Sequence, residues 1–205
     1  MEISRGTVVP MHRIGVFGGS FDPPHIGHFI CARTVAEVLG LTRVLVIPVA
    51  RQPLKPYGPI APASARWRMV RAITEGDDLF EPSRIEIDRP GASYTVDTLI
   101  ELRRVHPPER DELFLIIGFD ALKEMPDWKQ PDRIFETARV AVMSRPGYDP
   151  PTMPSRWKSR LDFIETPQID ISSTRIRERI RTGLPVQLMV GCEVAQIIER
   201  LGLYR

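Results

Sequence analysis

Cysteine is nearly missing from this chain: Cys31 and Cys192 are the two in 205 residues. They lie far apart in apolar, helix-like contexts, so they read as two buried free thiols, not as a disulfide or a zinc site. A cytosolic compartment follows. Long apolar runs are missing too. No stretch approaches the roughly 20 residues that span a bilayer, which excludes a membrane partner. Met1 to His12 lacks the apolar segment of a signal peptide. There is no internal repeat and no low-complexity tract. Net charge is small, +2 with 26% charged residues, but unevenly spread. Between Val49 and Ala72 stand Arg51, Lys55, Arg66, Arg68 and Arg71 with no acid among them. Arg175, Arg177, Arg179 and Arg181 follow later against Glu178 alone. Two such clusters in a nearly neutral protein suggest a local anionic ligand, though solvated helix faces would read the same way. No basic stripe is interleaved with aromatics, so nucleic acid is not favoured.

What is present is an alternation of apolar strands and helices. Arg13 to Phe17 reads as a buried first strand ending at Gly18-Gly19. From His25 to Leu39, Ile26, Phe29, Ile30, Val35, Val38 and Leu39 recur at helical spacing, and Gly40 supplies a stop. Arg43–Pro48 reads as the second strand, followed by a Pro-rich loop to Pro62 and a helix from about Ala63 to Thr74. Phe80 to Asp88, with Ile85 and Ile87, reads as a strand, Thr95 to Val105 as a helix, and Glu112 to Gly118 as the central strand. Short helices are expected around Ala121 and Ile134, and strands over Arg139–Met143 and Leu161–Glu165. A loop with four prolines separates those last two strands, and helices over Thr174–Thr182 and Cys192–Leu201 close the chain. Strands apolar throughout and alternating with helices predict an α/β fold, a Rossmann-like three-layer α/β/α sandwich with a mainly parallel sheet. Residues 1–11 are expected to be a disordered extension, and 12–205 a single domain with a helical C-terminal part. Ligands of such sheets bind at the strands' carboxyl ends, which directs attention to the loops after Phe17, Ile47, Ile117 and Met143.

The first of these loops is Gly18-Gly19-Ser20-Phe21-Asp22-Pro23-Pro24-His25-Ile26-Gly27-His28. Paired glycines allow close approach of backbone to a ligand and conformations closed to other residues. Free amides at the following helix start attract phosphate. His25 and His28, spaced i and i+3, share one face of the first helical turn, and Gly27 leaves room between them. Three readings compete. Core histidines are one, but a polar pair at a helix start is badly placed for burial. A metal pair is another, yet helical pairs more often use i, i+4, and no third ligand is evident. Hydrogen-bond donation to phosphate explains glycines, prolines and histidines together.

With these residues His25-Ile26-Gly27-His28 after Gly-Gly-Ser-Phe-Asp-Pro resembles the signature of the HxGH nucleotidylyltransferase superfamily. Ile171-Ser172-Ser173-Thr174-Arg175-Ile176-Arg177 is similar to its C-terminal phosphate motif. Ser93-Tyr94-Thr95-Val96-Asp97-Thr98-Leu99 and Gly118-Phe119-Asp120-Ala121-Leu122, with Trp128 following, resemble the bacterial nicotinate-nucleotide adenylyltransferases. The resemblance implies transfer of the adenylyl group of ATP to nicotinate mononucleotide. His25 and His28 would be catalytic, and Gly18, Gly19, Ser20, Phe21, Gly118, Asp120, Ser172, Ser173, Thr174 and Arg177 would bind ATP with them. Lys55, Tyr94, Thr95, Trp128 and Arg145 would contact the mononucleotide. Mg²⁺ would accompany ATP, held by phosphates and water with no protein ligand named. A homo-oligomer is left open. Leu54 stands where many relatives carry a histidine. The alternatives are a relative acting on nicotinamide mononucleotide or phosphopantetheine, and a non-catalytic nucleotide sensor on the same fold.

Overall fold

The computed structural model describes residues 12–53, 58–144 and 153–205. The expected N-terminal extension (1–11), Lys55 with its neighbour Leu54, and Arg145 lie outside the described residues. Six strands form one sheet: β1 His12–Gly19, β2 Arg43–Pro48, β3 Phe80–Pro82, β4 Asp111–Gly118, β5 Arg139–Ser144 and β6 Leu161–Glu165. Their order is β3-β2-β1-β4-β5-β6, and every neighbouring pair runs parallel. The helices are α1 Ile26–Leu39, α2 Ala63–Thr74, α3 Ile85–Asp88, α4 Thr95–Val105, α5 Phe119–Glu124 and α6 Pro131–Thr137. They continue with α7 Ser155–Lys158, α8 Ser173–Arg181, α9 Gln187–Val190 and α10 Cys192–Arg200.

The strands are apolar on both sides because both faces of the sheet are covered. Ile14 and Val16 of β1, Leu45 and Ile47 of β2, and Leu113 and Leu115 of β4 pack under α4 and α6 through Val96, Leu99 and Ile134. The alternate residues Phe17, Val44, Val46, Phe114 and Ile116 pack under α1 through Ala32, Val35 and Ala36. Gly15 marks the closest approach on that second face: a Cβ there would stand 3.0 Å from side-chain atoms of Ile116, Leu41 and Val44. Gly40 takes φ 60°, ending α1 as the sequence predicts. A third apolar cluster joins α2 to α8, α9 and α10 through Met69, Ile176, Val190, Val194 and Ile198. No described helix is long and apolar enough to cross a membrane.

The segment Phe80–Asp88 departs from expectation. Only Phe80–Pro82 is strand, and Ile85–Asp88 is a helical turn. β3 is an edge strand, and Pro82 has no N–H to continue it. Arg84 and Asp88 then pair across one turn at 2.8 Å, and Glu86 turns inward to accept from the Thr98 hydroxyl at 2.8 Å. The thiols also differ from expectation: Cys31 is half-buried and Cys192 exposed, on the first residue of α10.

The sheet order reverses direction at β1. Strands β2 and β3 lie to one side and β4, β5 and β6 to the other, so a crevice opens between the loops leaving β1 and β4.

Candidate active site

A cavity of about 270 Å³ lies at that crevice. Phe17 of β1 lines it, as do His25 with Gly27, His28 and Cys31 of α1, and Gly118 at the end of β4 with Phe119 and Asp120 of α5. Met143 at the end of β5 contributes to it, and so do Thr166, Pro167, Ile169 and Ile171 from the segment after β6. The ends of three of the four strands picked out by the sheet rule thus meet here, and no described residue of the loop after Ile47 lines this cavity.

His25 is the N-cap of α1, and its backbone N–H donates to Nδ1 of His28 at 3.2 Å. That bond makes Nδ1 an acceptor and leaves the His28 proton on Nε2. The two rings stack with centroids 3.6 Å apart and planes 20° from parallel. Phe21 meets His28 edge-on at 5.3 Å. The expectation that a helix-start pair resists burial is overturned for His25, which is only 5% exposed, while His28 is half-buried. Ring stacking and the segment around Ile169, which approaches Gly27, enclose His25. Nδ1 of His25 is buried without a hydrogen-bond partner in the protein. That nitrogen is closed off beside the start of α1, where a Cβ on Gly27 would stand 3.1 Å from it.

Desolvation lowers the His25 pKa to about 4. Burial, then the neighbouring His25, push His28 well below the ordinary value as well. Both rings are therefore neutral at pH 7. A histidine that stays neutral when folded but titrates near 6.5 when unfolded destabilises the fold as pH drops. The loss starts below pH 6.5 and levels off below about 4. For His25 alone it amounts to roughly 2 kcal/mol at pH 5. Denaturant titrations at pH 7 and pH 5 should show it, and His25→Asn should show a shallower pH dependence.

The glycine pair behaves otherwise than its sequence suggests. Gly18 and Gly19 complete β1, and the left-handed residue of the turn is Phe21, at φ 47°. A Cβ on Gly19 would press on the Phe21 ring at 3.1 Å, whereas one on Gly18 or Gly118 would meet open space. Gly19 thus serves close approach to the Phe21 ring, and neither glycine of the pair takes a left-handed backbone angle.

The turn is braced from behind by residues distant in sequence. Arg66 of α2, 1% exposed, donates to the carbonyl of Ser20 at 2.8 Å and to that of Ala61 at 3.0 Å. Arg177 of α8 donates to the carbonyl of Asp22 at 2.8 Å and to the Thr174 hydroxyl at 3.1 Å. The Ser173 hydroxyl donates to the carbonyl of Pro23 at 2.8 Å. Ser172 caps α8, accepting from the Arg175 N–H at 3.3 Å. The second motif therefore docks on the first, and the N-termini of α1 and α8 meet the same turn. Neither helix carries an acid in its first turn, which suits an anion there.

The second basic cluster, and Arg66 of the first, resolve differently from a ligand-facing patch. Arg66 and Arg177 hold backbone carbonyls, Arg175 pairs with Asp170, Arg179 donates to the carbonyl of Pro185, and Arg181 pairs with Glu178. Asp120 is exposed beside the cavity, 3.8 Å from Lys123.

Of the residues expected at the mononucleotide, the described ones, Tyr94, Thr95 and Trp128, lie outside the cavity lining. Tyr94 is the N-cap of α4 and Thr95 its first residue, with no side-chain cap over the helix start. Lys129 bonds Asp97 at 2.9 Å and lies 4.6 Å over the Tyr94 ring, which brings the neighbouring Trp128 to the start of α4. Tyr94 and Trp128 both pack, half-buried, on the same core cluster. The Ser93 hydroxyl accepts from the amides of Ala50 and Arg51, and the Ser93 N–H donates to the carbonyl of Arg51. The loop after β2 is thereby fastened to the start of α4.

Sequence reasoning missed the wall formed by Thr166, Pro167 and Ile169, and it counted Arg66 only as one of a basic cluster. Ser93 entered it only as part of a block. The one available signal was Arg66 itself, a charged residue on an otherwise apolar stripe with Ala65, Met69 and Val70.

A parallel sheet with a histidine pair at the first strand-to-helix turn defines a nucleotidyltransferase architecture. Residues 16–179 match the family model described as cytidylyltransferase-like, and the chain belongs to that family. Within it the chain groups with the nicotinate-nucleotide adenylyltransferases. It is 46% identical over 195 residues to a probable nicotinate-nucleotide adenylyltransferase of Thermus thermophilus, covering 94% of this chain and 100% of that one. It is 43% identical over 197 residues to one from Roseiflexus sp. RS-1, covering 94% and 98%. In fold it matches the Plasmodium falciparum nicotinic acid mononucleotide adenylyltransferase complexed with NaAD, with a TM-score of 0.74 at 15% identity over 94% of this chain and 97% of that one.

Proposed function

We propose that this chain transfers the adenylyl group of ATP to nicotinate mononucleotide, forming deamido-NAD and releasing pyrophosphate, in the cytosolic synthesis of NAD. The observation that carries the reading is the stacked His25–His28 pair at a cavity between the β1 and β4 loops.

A phosphate oxygen of the mononucleotide attacks the α-phosphorus of ATP, and the bond to the β-phosphate oxygen breaks. The attacking oxygen is already anionic near pH 7, so no general base is needed. Positioning and charge stabilisation carry the rate. His28 Nε2–H, fixed by the bond from the His25 amide, donates to an oxygen of the reacting phosphate, and His25 donates beside it. Gly18, Gly19, Ser20 and Phe21 form the turn that cradles the phosphates. Gly118 leaves room for the adenosine, and Asp120 accepts from its ribose hydroxyls. Ser172, Ser173, Thr174 and Arg177 place the start of α8 at the triphosphate. Tyr94 and Thr95 offer the open amides of α4 to the nicotinate carboxylate, and Trp128 stacks on the pyridine ring. Lys55 and Arg145 are assigned to the mononucleotide phosphate on sequence grounds alone. Among the described residues no group of three or more His, Cys, Asp or Glu could hold a metal ion. We assign the Mg²⁺ that accompanies ATP to the triphosphate and water, as ATP chemistry leads one to expect.

Pyrophosphate release, assayed with ATP and each mononucleotide in turn, tests the reading. Nicotinate mononucleotide should support turnover well above nicotinamide mononucleotide. ATP binding with no turnover on either would favour the sensor instead. Two variants separate the halves of the site. Gly27→Ala places a methyl 3.1 Å from Nδ1 of His25 and 3.4 Å from Ile169. Displacing that ring should lower kcat about tenfold in a folded protein. Trp128→Ala should raise the KM for the mononucleotide by about five- to tenfold and leave that for ATP unchanged.

A further inference from the structure

One carboxylate gathers three separate parts of the chain beneath the phosphate turn. Asp22, 4% exposed, accepts from the amide of Ile60 at 2.6 Å and that of Ala61 at 3.0 Å, just before α2. Its Oδ1 also accepts from the Tyr204 hydroxyl at 2.7 Å. Tyr204 follows α10, is 7% exposed, and sits in the left-handed region at φ 65°. A non-glycine residue in that region is held there by its surroundings, and here the holding contacts are the buried hydroxyl bond and the packing among α2, α8 and α10. Arg66 and Arg177 complete the hub, with Arg66 on the Ser20 carbonyl and Arg177 on the Asp22 carbonyl. Burial and the hydrogen bond to Asp22 push the Tyr204 phenol well above its ordinary range, so it remains a donor at every working pH.

We infer that Tyr204 is a positioning residue for adenylyl transfer: its hydroxyl, through Asp22, fixes the turn from Ser20 to His25 that holds the ATP phosphates. The inference rests on the proposed reaction. Asp22 directly precedes the Pro23-Pro24-His25 segment, so a shift of its carboxylate moves the start of α1 and both rings. Among the described residues no hydrogen bond of Asp22, Arg66, Arg177 or Tyr204 reaches α4 or Trp128, so the mononucleotide half should feel it far less than the ATP half. A tyrosine serving only the stability of α10 would lower the folded fraction without distinguishing the two substrates.

Tyr204→Phe keeps the ring and removes the donor. Assayed well below the melting temperature, it should raise the KM for ATP or lower kcat, about tenfold in kcat/KM for ATP. The KM for nicotinate mononucleotide should stay within about twofold. Kinetics unchanged in a folded variant, or both KM values rising together, would overturn the inference. Wild-type protein assayed in parallel separates this from the parent reading: absence of wild-type turnover sinks the reaction itself. A second measurement needs no variant. By reciprocity, a non-hydrolysable ATP analogue bound to the wild type should slow amide exchange at 60–61 and 201–205 together with 20–25. Protection of 20–25 with no change at 201–205 would contradict the coupling.

Discussion

His28→Ala is expected to lower kcat by about two orders of magnitude while the protein stays folded. His28 offers the cavity one protonated nitrogen, Nε2, because Nδ1 is engaged by the His25 amide. Removing it takes away one donor aimed at the charge that builds on the phosphate in the transition state. Such donors are typically worth about 10²–10³ in rate. Loss of the acceptor for the His25 amide costs about 1 kcal/mol, small beside the effect on rate. His28→Asn is the control: an Asn carbonyl at the same helical position can accept from that amide, so stability should return and turnover should not. Near-wild-type turnover in His28→Ala would remove the catalytic assignment. Both rings are neutral in the free protein, so the account needs a neutral N–H donor and no imidazolium.

Arg66→Met should be the most damaging substitution for stability outside the apolar core. Its guanidinium is buried, holds the carbonyls of Ser20 and Ala61, and stands in the field of Asp22. A methionine fills most of the volume but leaves two buried carbonyls without donors and a buried carboxylate with less compensating charge. The expected cost is about 3 kcal/mol, or a fall of roughly 10 °C in Tm for a chain of this length. Thermal unfolding followed by circular dichroism checks it, and a change under about 3 °C would mean the hub contributes little. The ATP side should weaken with it, since Arg66 and Tyr204 brace the same turn.

The strands and long helices were legible because each is local. β2, α4 and β6 fall where apolar runs and helical spacing put them, and Gly40 ends α1 as a glycine should. The stretch after Phe80 misled because Ile85 and Ile87 alternate like a strand. Pro82 and the inward turn of Glu86 decide the structure there, and periodicity weighs neither. The site was legible in its motifs, since two histidines and a capped Ser-Ser-Thr helix occur in short, ordered blocks. Its support was not. Asp22 meets Tyr204 across 182 residues and Arg66 meets Ser20 across 46, and no spacing rule reaches that far. The basic clusters illustrate the same limit: an arginine reads identically in sequence whether it faces a phosphate or a carbonyl of its own chain. The glycine pair does not take the backbone angles its sequence suggests, because Phe21 takes the left-handed angle and Gly19 makes room for its ring.

The central claim is that the turn leaving β1 holds the phosphates of ATP against His25 and His28. A crystal structure with a non-hydrolysable ATP analogue tests it most directly. The account predicts α-phosphate oxygens at hydrogen-bond distance, about 2.7–3.2 Å, from Nε2 of His28 and from a ring nitrogen of His25, with the adenosine beside Gly118. A triphosphate bound elsewhere, with both rings still stacked and untouched by phosphate, would contradict it.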